Sequence, residues 1–588
     1  MGGYAGTFLE VDLTRGTHKP FTVATDVLQG FIGGSGLGAA LFLDRFDPEV
    51  EPLSPENPLM VMTGPLTGTN FPGSSRFTIC GNSPLTGIWG EAAIGGNFSP
   101  KLKMAGVDGI VLVGASQTPV LLVIDDDKVE LRDAKHLWEK DTYETTDILK
   151  SDLGNDFKIL CIGQAGENLV LYGAIANDKA HFAGRTGMGA LMGTKKLKAI
   201  AVRGTKKIPI QDPEAYNRVF KAVIKNCKES LLARTYHELG SDAGMDLYMM
   251  TGNVPIKNWT VGENWELSGK LGGPALTENY LVRTHTCSFC PIACKRVVKV
   301  EEEPYRVEEG PGPEYETCAA FGTLILNDNL AAVIKANEIC NRYGMDTISC
   351  GSTIAFAMEC YEKGLLQVED TDGIELEWGN MPAVLALLDK IAYRKGVGDL
   401  LAEGTRRAAE RIGRRAQELT VHVKGLEAPM HDPRGYHGMG LAFVYSNRGA
   451  CHNQHIVRQV EHGMVNFTEL GLQEDYQGQS SEGKAEMVLI CENYGILLNA
   501  LCQCLYVNEV TAPKDLLGAF NAITGWSYTM EDLMACGERI WLLKRGLINL
   551  MGITNADDLL PKRILTPVKD GAAAGSVPDL EKMKRDYK

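Results

Sequence analysis

Three cysteines in the run Cys287-Ser-Phe-Cys290-Pro-Ile-Ala-Cys294 stand two and three residues apart on a Pro-containing turn, a spacing that lets all three thiols aim at one inorganic centre. An iron–sulfur cube takes four thiolates, so the run asks for a fourth cysteine from elsewhere, and the pair Cys502-Gln-Cys504 is the best donor. A [4Fe-4S] cluster is the reading this spacing favours. Zinc is the alternative, although it would more often show two matched Cys-x2-Cys pairs, and three buried thiols are the other. Proton-transfer candidates lie at Glu314 and Glu316 in Gly312-Pro-Glu-Tyr-Glu-Thr317 and at His452 in Ser446-Asn-Arg-Gly-Ala-Cys-His452. A carboxylate and an imidazole near a redox metal can take protons and polarise a carbonyl. His431 and His437 are candidates for supporting or access-channel positions.

The glycine-rich segments invite nucleotide readings that fail on spacing. Gly33-Gly-Ser-Gly-Leu-Gly38 lacks the two-residue gap of a dinucleotide fingerprint, and Gly193-Thr-Lys195 has its last two residues in the wrong order for a phosphate loop. Together with Thr63-Gly-Pro-Leu-Thr-Gly68, Pro72-Gly-Ser-Ser-Arg76, Gly95-Gly-Asn-Phe98 and Ala183-Gly-Arg-Thr-Gly-Met-Gly-Ala190, these loops are expected to bring backbone amides to a phosphorylated ligand.

The elements that must position these groups change character along the chain. Residues 1–208 are rich in glycine and short β-branched runs such as Gly109-Ile-Val-Leu-Val113 and Val120-Leu-Leu-Val-Ile124, and read as a β domain. From Asp212-Pro213 the pattern turns helical, with 3.6-residue periodicity over 214–235, 329–343, 351–363 and 382–413 in a domain spanning 209–417. A third domain, 418–588, has helical stretches at 484–501, 513–523 and 530–549 and a tail from about 566 expected to be draped or mobile. The fold class is therefore α+β. With 588 residues, 44% of them apolar, the chain is long enough for several cores. A net charge of −15 argues against nucleic acid as a partner. No apolar stretch is long enough to cross a bilayer and the start lacks a secretory pattern, so a soluble, cytoplasmic protein is expected, with its 15 cysteines reduced or ligating metal.

Over almost its whole length the chain resembles the tungsten-containing aldehyde:ferredoxin oxidoreductase family. The likeness rests on Gly33–Gly38, Thr63–Thr69, Pro72–Phe77, Ala183-Gly-Arg185, Leu197-Lys-Ala-Ile200, the Cys287 run, Gly312–Thr317 and Ser446–His452. It implies a β base domain beneath two helical domains, tungsten (or molybdenum) held by two pyranopterins at the domain interfaces, a magnesium ion bridging their phosphates, and a cluster beside one pterin. It also implies an enzyme interconverting aldehydes and acids, with ferredoxin or a dedicated iron–sulfur subunit as electron carrier and the chain acting in an oligomer or complex. The residues matching the family's pterin and magnesium positions are Arg76, Ala93, Gly95, Gly96, Ala183, Gly184 and Arg185. Its two acidic-Gly-Leu motifs fall on Asn341-Arg-Tyr-Gly344-Met-Asp346 and Asn499-Ala-Leu-Cys502-Gln-Cys504, which makes Asn341, Asp346 and Asn499 pterin contacts and Cys504 the matching fourth ligand, with Cys502 its rival. The family's proposed acid–base pair matches Glu314 and His452. Cys318, directly after Thr317, is a candidate tungsten ligand of the kind that would resemble class II benzoyl-CoA reductases, whose substrates are aromatic acyl-CoA esters. A basic patch near Lys295-Arg296 is the expected contact for an acidic carrier.

Overall fold

The computed structural model describes residues 1–413 and 415–587. Between Phe8 and Arg203 the chain forms two six-stranded mixed sheets. Alternation along the strands sets their faces. In Leu59–Met62, Leu59 and Val61 enter one core while Met60 and Met62 enter another, as a two-residue period requires. The first of these cores lies between the sheets, with Phe77, Ile79 and Ile94 of one facing Leu122, Leu160 and Ile200 of the other. On the far side of the first sheet, helix Gly34–Arg45 and the last long helix, Met530–Leu550, close the second core through Leu37, Phe42, Leu547 and Ile548. Each sheet ends on a short edge strand: Trp89–Ile94 in the first and His181–Ala183 in the second. Edge strands leave backbone groups unpaired. Here they face the helical part of the molecule.

That helical part follows the periodicity of the sequence with two physical exceptions. Asp212 caps helix Pro213–Glu229 as expected, its side chain accepting from Ala215 N at 2.9 Å, but the helix breaks at Ser230, whose hydroxyl caps a separate helix Leu231–Leu239. The stretch 382–413 is three helices, Met381–Ala392, Val397–Leu401 and Gly404–Ile412, because the chain turns through positive φ at Gly396 and Gly404. A three-stranded antiparallel sheet, Leu281–His285, Lys295–Val300 and Val307–Pro311, went unread in the sequence. The Cys287 run is the loop joining its first two strands. The tail is docked, since helix Leu580–Tyr587 buries Leu580 and Met583 and stacks Tyr587 on Tyr445 at 4.3 Å. The architecture is α+β, and among the described residues no helix is long and apolar enough to cross a membrane.

Candidate active site

A cavity of about 310 Å³ opens where the two edge strands meet the helices. Two helix corners of the same construction enter it. Helix Leu330–Tyr343 ends at Gly344 in the left-handed conformation (φ 72°), and two residues later Asp346 caps helix Thr347–Glu362, accepting from Ile348 N and Ser349 N at 3.2 Å. Helix Lys484–Leu501 ends the same way at Cys502 (φ 58°), and Cys504 stands at the N-cap of Leu505–Asn508. The corners superpose in sequence as Asn341–Gly344–Asp346 and Asn499–Cys502–Cys504. Asn341, Asp346, Asn499 and Cys504 all line the cavity. Asn499 spends its amide hydrogens on Asn453 O at 3.1 Å and Gly495 O at 2.8 Å, so only its carbonyl oxygen remains to accept, which is what an aspartate would offer.

The second corner is seated by the turn Pro72-Gly73, through Cys504 N to Gly73 O at 3.0 Å and Gln503 Nε2 to Pro72 O at 2.9 Å. Cys287, Cys294 and Cys504 line one part of the cavity, with Cys290 beside them on the turn. Burial, then the neighbouring Cys504 and Cys287, push the Cys290 thiol up to about 12, and burial with Glu314 and these same sulfurs pushes Cys294 well above the usual thiol range. Cys502 turns away, its sulfur lying toward Met62 O at 3.9 Å and against the Gly33-Gly34 loop. Glycine there serves close packing. A Cβ on Gly34 would stand 2.2 Å from Asn499 O and one on Gly64 2.4 Å from Leu501 O, so Gly33–Gly38 and Thr63–Gly68 receive the end of helix Lys484–Leu501 and do not line the cavity.

Glu314 and Glu316 separate at the start of helix Tyr315–Ala320. Glu314, its N-cap residue, ion-pairs with Lys295 at 2.6 Å and accepts from Ser241. One oxygen of Glu316 accepts from Met430 N at 2.8 Å, while its Oε1 lies 3.1 Å from His431 Nε2 and 3.4 Å from His452 Nε2. Neither ring is aligned well enough to hydrogen-bond Oε1, which is buried without a donor. Burial holds both histidines well below their usual range and therefore neutral near pH 7. The carboxylate oxygen and the two ring nitrogens lie within 4.8 Å of one another, a spacing that could also hold a metal ion. His431 is fixed from behind by Asn253 Oδ1 at 2.7 Å.

Arg76, Ala93, Gly95, Gly184 and Arg185 also line the cavity, whereas Gly96, in the bend after strand Trp89–Ile94, and Ala183, at the end of strand His181–Ala183, do not. Three expectations fail on geometry. Cys318 faces away, its thiol donating to Asp242 Oδ2 at 3.4 Å, because it sits a further turn angle around the helix from Glu316. His437 is held by Ser481 at 2.8 Å and Ser576 at 2.9 Å, outside the cavity. Lys295 and Arg296 form no surface patch, since Lys295 is spent on Glu314 and Arg296, 3% exposed, donates to the carbonyls of His237 and Glu238. Sequence reasoning passed over His181, Arg448 and Tyr506, which line the cavity beside residues it did name. Their position next to Ala183, His452 and Cys504 was the available signal.

Comparisons with known proteins identify the family. The model of the aldehyde ferredoxin oxidoreductase N-terminal domain matches residues 8–204, and that of domains 2 and 3 matches 218–587. The chain is 39% identical to a tungsten-containing aldehyde ferredoxin oxidoreductase of Thermococcus kodakarensis and 38% identical to one of Pyrococcus furiosus, in each case over 100% of this chain and 96% of the relative. Its fold is similar to the BamBC active-site complex of benzoyl coenzyme A reductase solved with 1,5-dienoyl-CoA, with a TM-score of 0.85 and 26% identity over 100% of this chain and 94% of that one. The chain is therefore an oxidoreductase that belongs to the tungsten-containing aldehyde ferredoxin oxidoreductase family.

Proposed function

We propose that the enzyme converts an aldehyde and water to a carboxylic acid, two protons and two electrons, the electrons leaving through a [4Fe-4S] cluster to a low-potential iron–sulfur carrier. The observation that carries this reading is one cavity holding both the Glu316–His452 pair and the Cys287, Cys294 and Cys504 thiols. Its walls suit an anionic, phosphorylated cofactor. Arg185 Nε is buried with no aligned hydrogen bond, its ion-pair partner Asp346 standing 3.4 Å away, and Arg448 Nε is buried without an acceptor. Among the described residues the Arg76 side chain reaches only Ala93 O at 3.3 Å, and a Cβ on Gly184 would project into open space with nothing but Asp346 within 4 Å. Ala93 and Ala183, on the two edge strands, would offer backbone oxygens to the magnesium ion that the family implies. The tungsten pterin supplies the two-electron redox change when bound.

The four cysteines suit a cube better than a single zinc. Thiolates on one zinc approach to about 4 Å of each other, whereas among the described residues no cysteines form so tight a group. Glu316 Oε1, short of a donor, accepts the proton released as water adds, and neutral His452 polarises the carbonyl or passes that proton on. Glu314 holds Lys295 beside the thiols and stands outside this pair. Reduction of an aromatic acyl-CoA is the second reading, favoured by the likeness to the BamBC complex. Its specific support in this chain was Cys318, which faces Asp242. Assaying purified protein with acetaldehyde and with benzoyl-CoA, using a viologen dye, tests both. Aldehyde-dependent dye reduction is expected, and dye oxidation by benzoyl-CoA without aldehyde activity would overturn the proposal.

A further inference from the structure

We propose that His181 donates a hydrogen bond to the Cys287 sulfur and thereby raises the reduction potential of the cluster. His181 opens the edge strand His181–Ala183 and is 6% exposed. Its Nε2 lies 3.8 Å and its Nδ1 3.9 Å from Cys287 Sγ, and among the described residues the ring has no other hydrogen-bond partner. Among the described residues it is also the only side chain in hydrogen-bonding distance of any of the four proposed cluster sulfurs. A histidine with no other acceptor in reach, in a cavity wall, has its N–H directed by the one acceptor available.

The approach is built in from both sides. Asn177, paired with His181 across the hairpin, donates to Gly95 O at 2.7 Å, and Ser288 N donates to Gly96 O at 3.3 Å, so strand hairpin and cysteine turn clasp the same Gly95-Gly96 segment. Ser288 Oγ adds a bond to Asn97 Oδ1 at 2.7 Å. A Cβ at position 95 would stand 3.2 Å from Cys287 Sγ and 3.5 Å from His181 Nδ1, so glycine there lets ring and sulfur meet. Reducing a cluster adds negative charge to its sulfurs, and a hydrogen bond to a cysteine sulfur stabilises that state, raising the potential. His181 is thus a positioning and tuning residue, contributed by the sheet part of the chain to a ligand in the helical part.

The inference rests on the cluster assignment in the proposed function, and one experiment separates the two. Purified holoenzyme, His181→Gln and His181→Leu are compared by iron content and by EPR-monitored redox titration of the [4Fe-4S] signal. Gln keeps an N–H donor and Leu removes it at similar bulk. The expected result is a midpoint potential shifted downward in His181→Leu and restored toward wild type in His181→Gln, with iron per chain unchanged. Equal potentials in all three proteins, or equal downward shifts in both variants, would overturn the tuning role while leaving the cluster standing. If His181→Leu loses its iron, His181→Gln decides: a wild-type potential supports the donor, and a lowered potential or lost iron sinks it. Wild-type enzyme with no [4Fe-4S] signal would overturn the cluster assignment and the inference together.

Discussion

Glu314 and Glu316 are two residues apart and face different partners, and the proposed chemistry assigns the base to Glu316. Glu316→Gln should retain tungsten and iron but lower turnover per tungsten by roughly 10²–10⁴, the usual loss when an acid–base group is removed. Glu314→Gln should instead lower the melting temperature, because it strands the half-buried Lys295 ammonium that it now pairs at 2.6 Å. Activity per bound tungsten and a thermal melt on both variants separate the roles, and a Glu316→Gln enzyme with full per-metal turnover would dismiss it as the base. For the thiols, Cys504→Ser should lose iron as Cys290→Ser does, while Cys502→Ser keeps it, since the Cys502 sulfur faces Met62 O. Iron analysis that reversed this order would reassign the fourth ligand. The three cysteines of the 287–294 run were legible in the sequence because their spacing is local, whereas Cys504 was reached through the likeness to the family motif. Choosing between Glu314 and Glu316, or seeing that Cys318 faces Asp242, needed the phase of one short helix and the place where it starts. No pattern of six residues supplies that.

Between residue and molecule stands the helix corner, used twice. In the first, Asp346 works as a helix cap as well as a cavity wall, with Arg185 Nε 3.4 Å from its carboxylate. Asp346→Ala should therefore cost about 1 kcal/mol of stability from the lost cap, with Asp346→Asn costing less because an amide oxygen still caps. Urea unfolding of the three proteins measures this, and an Ala variant as stable as wild type would remove the capping role. The long helices could be read because their apolar period repeats over several turns. The break at Ser230 was hidden inside a continuous amphipathic pattern. Short strands such as Lys295-Arg-Val-Val-Lys-Val300 were hidden too, since charges interrupt their alternation and a three-stranded sheet buries only one face.

At the scale of the whole molecule, buried neutral histidines set the acid limit. His455, 1% exposed, donates from Nε2 to Cys451 O at 2.7 Å and accepts Val457 N at Nδ1, so both ring nitrogens are committed to the neutral form. Burial lowers its pKa from 6.5 to about 4. The unfolded chain then binds the proton first as pH falls, so the contribution of His455 is whole above pH 6.5 and drains away toward pH 4, on the order of 3 kcal/mol in all. The melting temperature should fall across that window, and His455→Gln should flatten the slope; an unchanged slope would exclude this residue as the cause. An α+β chain with sheets first and helices after was legible from composition along the sequence. That the last long helix returns to cover the first sheet was not, because contacts across 450 residues leave no local mark. There Lys544 ion-pairs with Glu91 at 2.7 Å and donates to Ser35 at 2.8 Å, anchoring the strand that walls the cavity. A ribosome must therefore release nearly the whole chain before that wall is fixed, and Cys504 and His452 also arrive late. On the cofactor reading proposed above, a nascent N-terminal half could not gather the pterins; loading would fall to the folded polypeptide, and a cell making this enzyme would have to keep the empty protein intact until its cofactor comes.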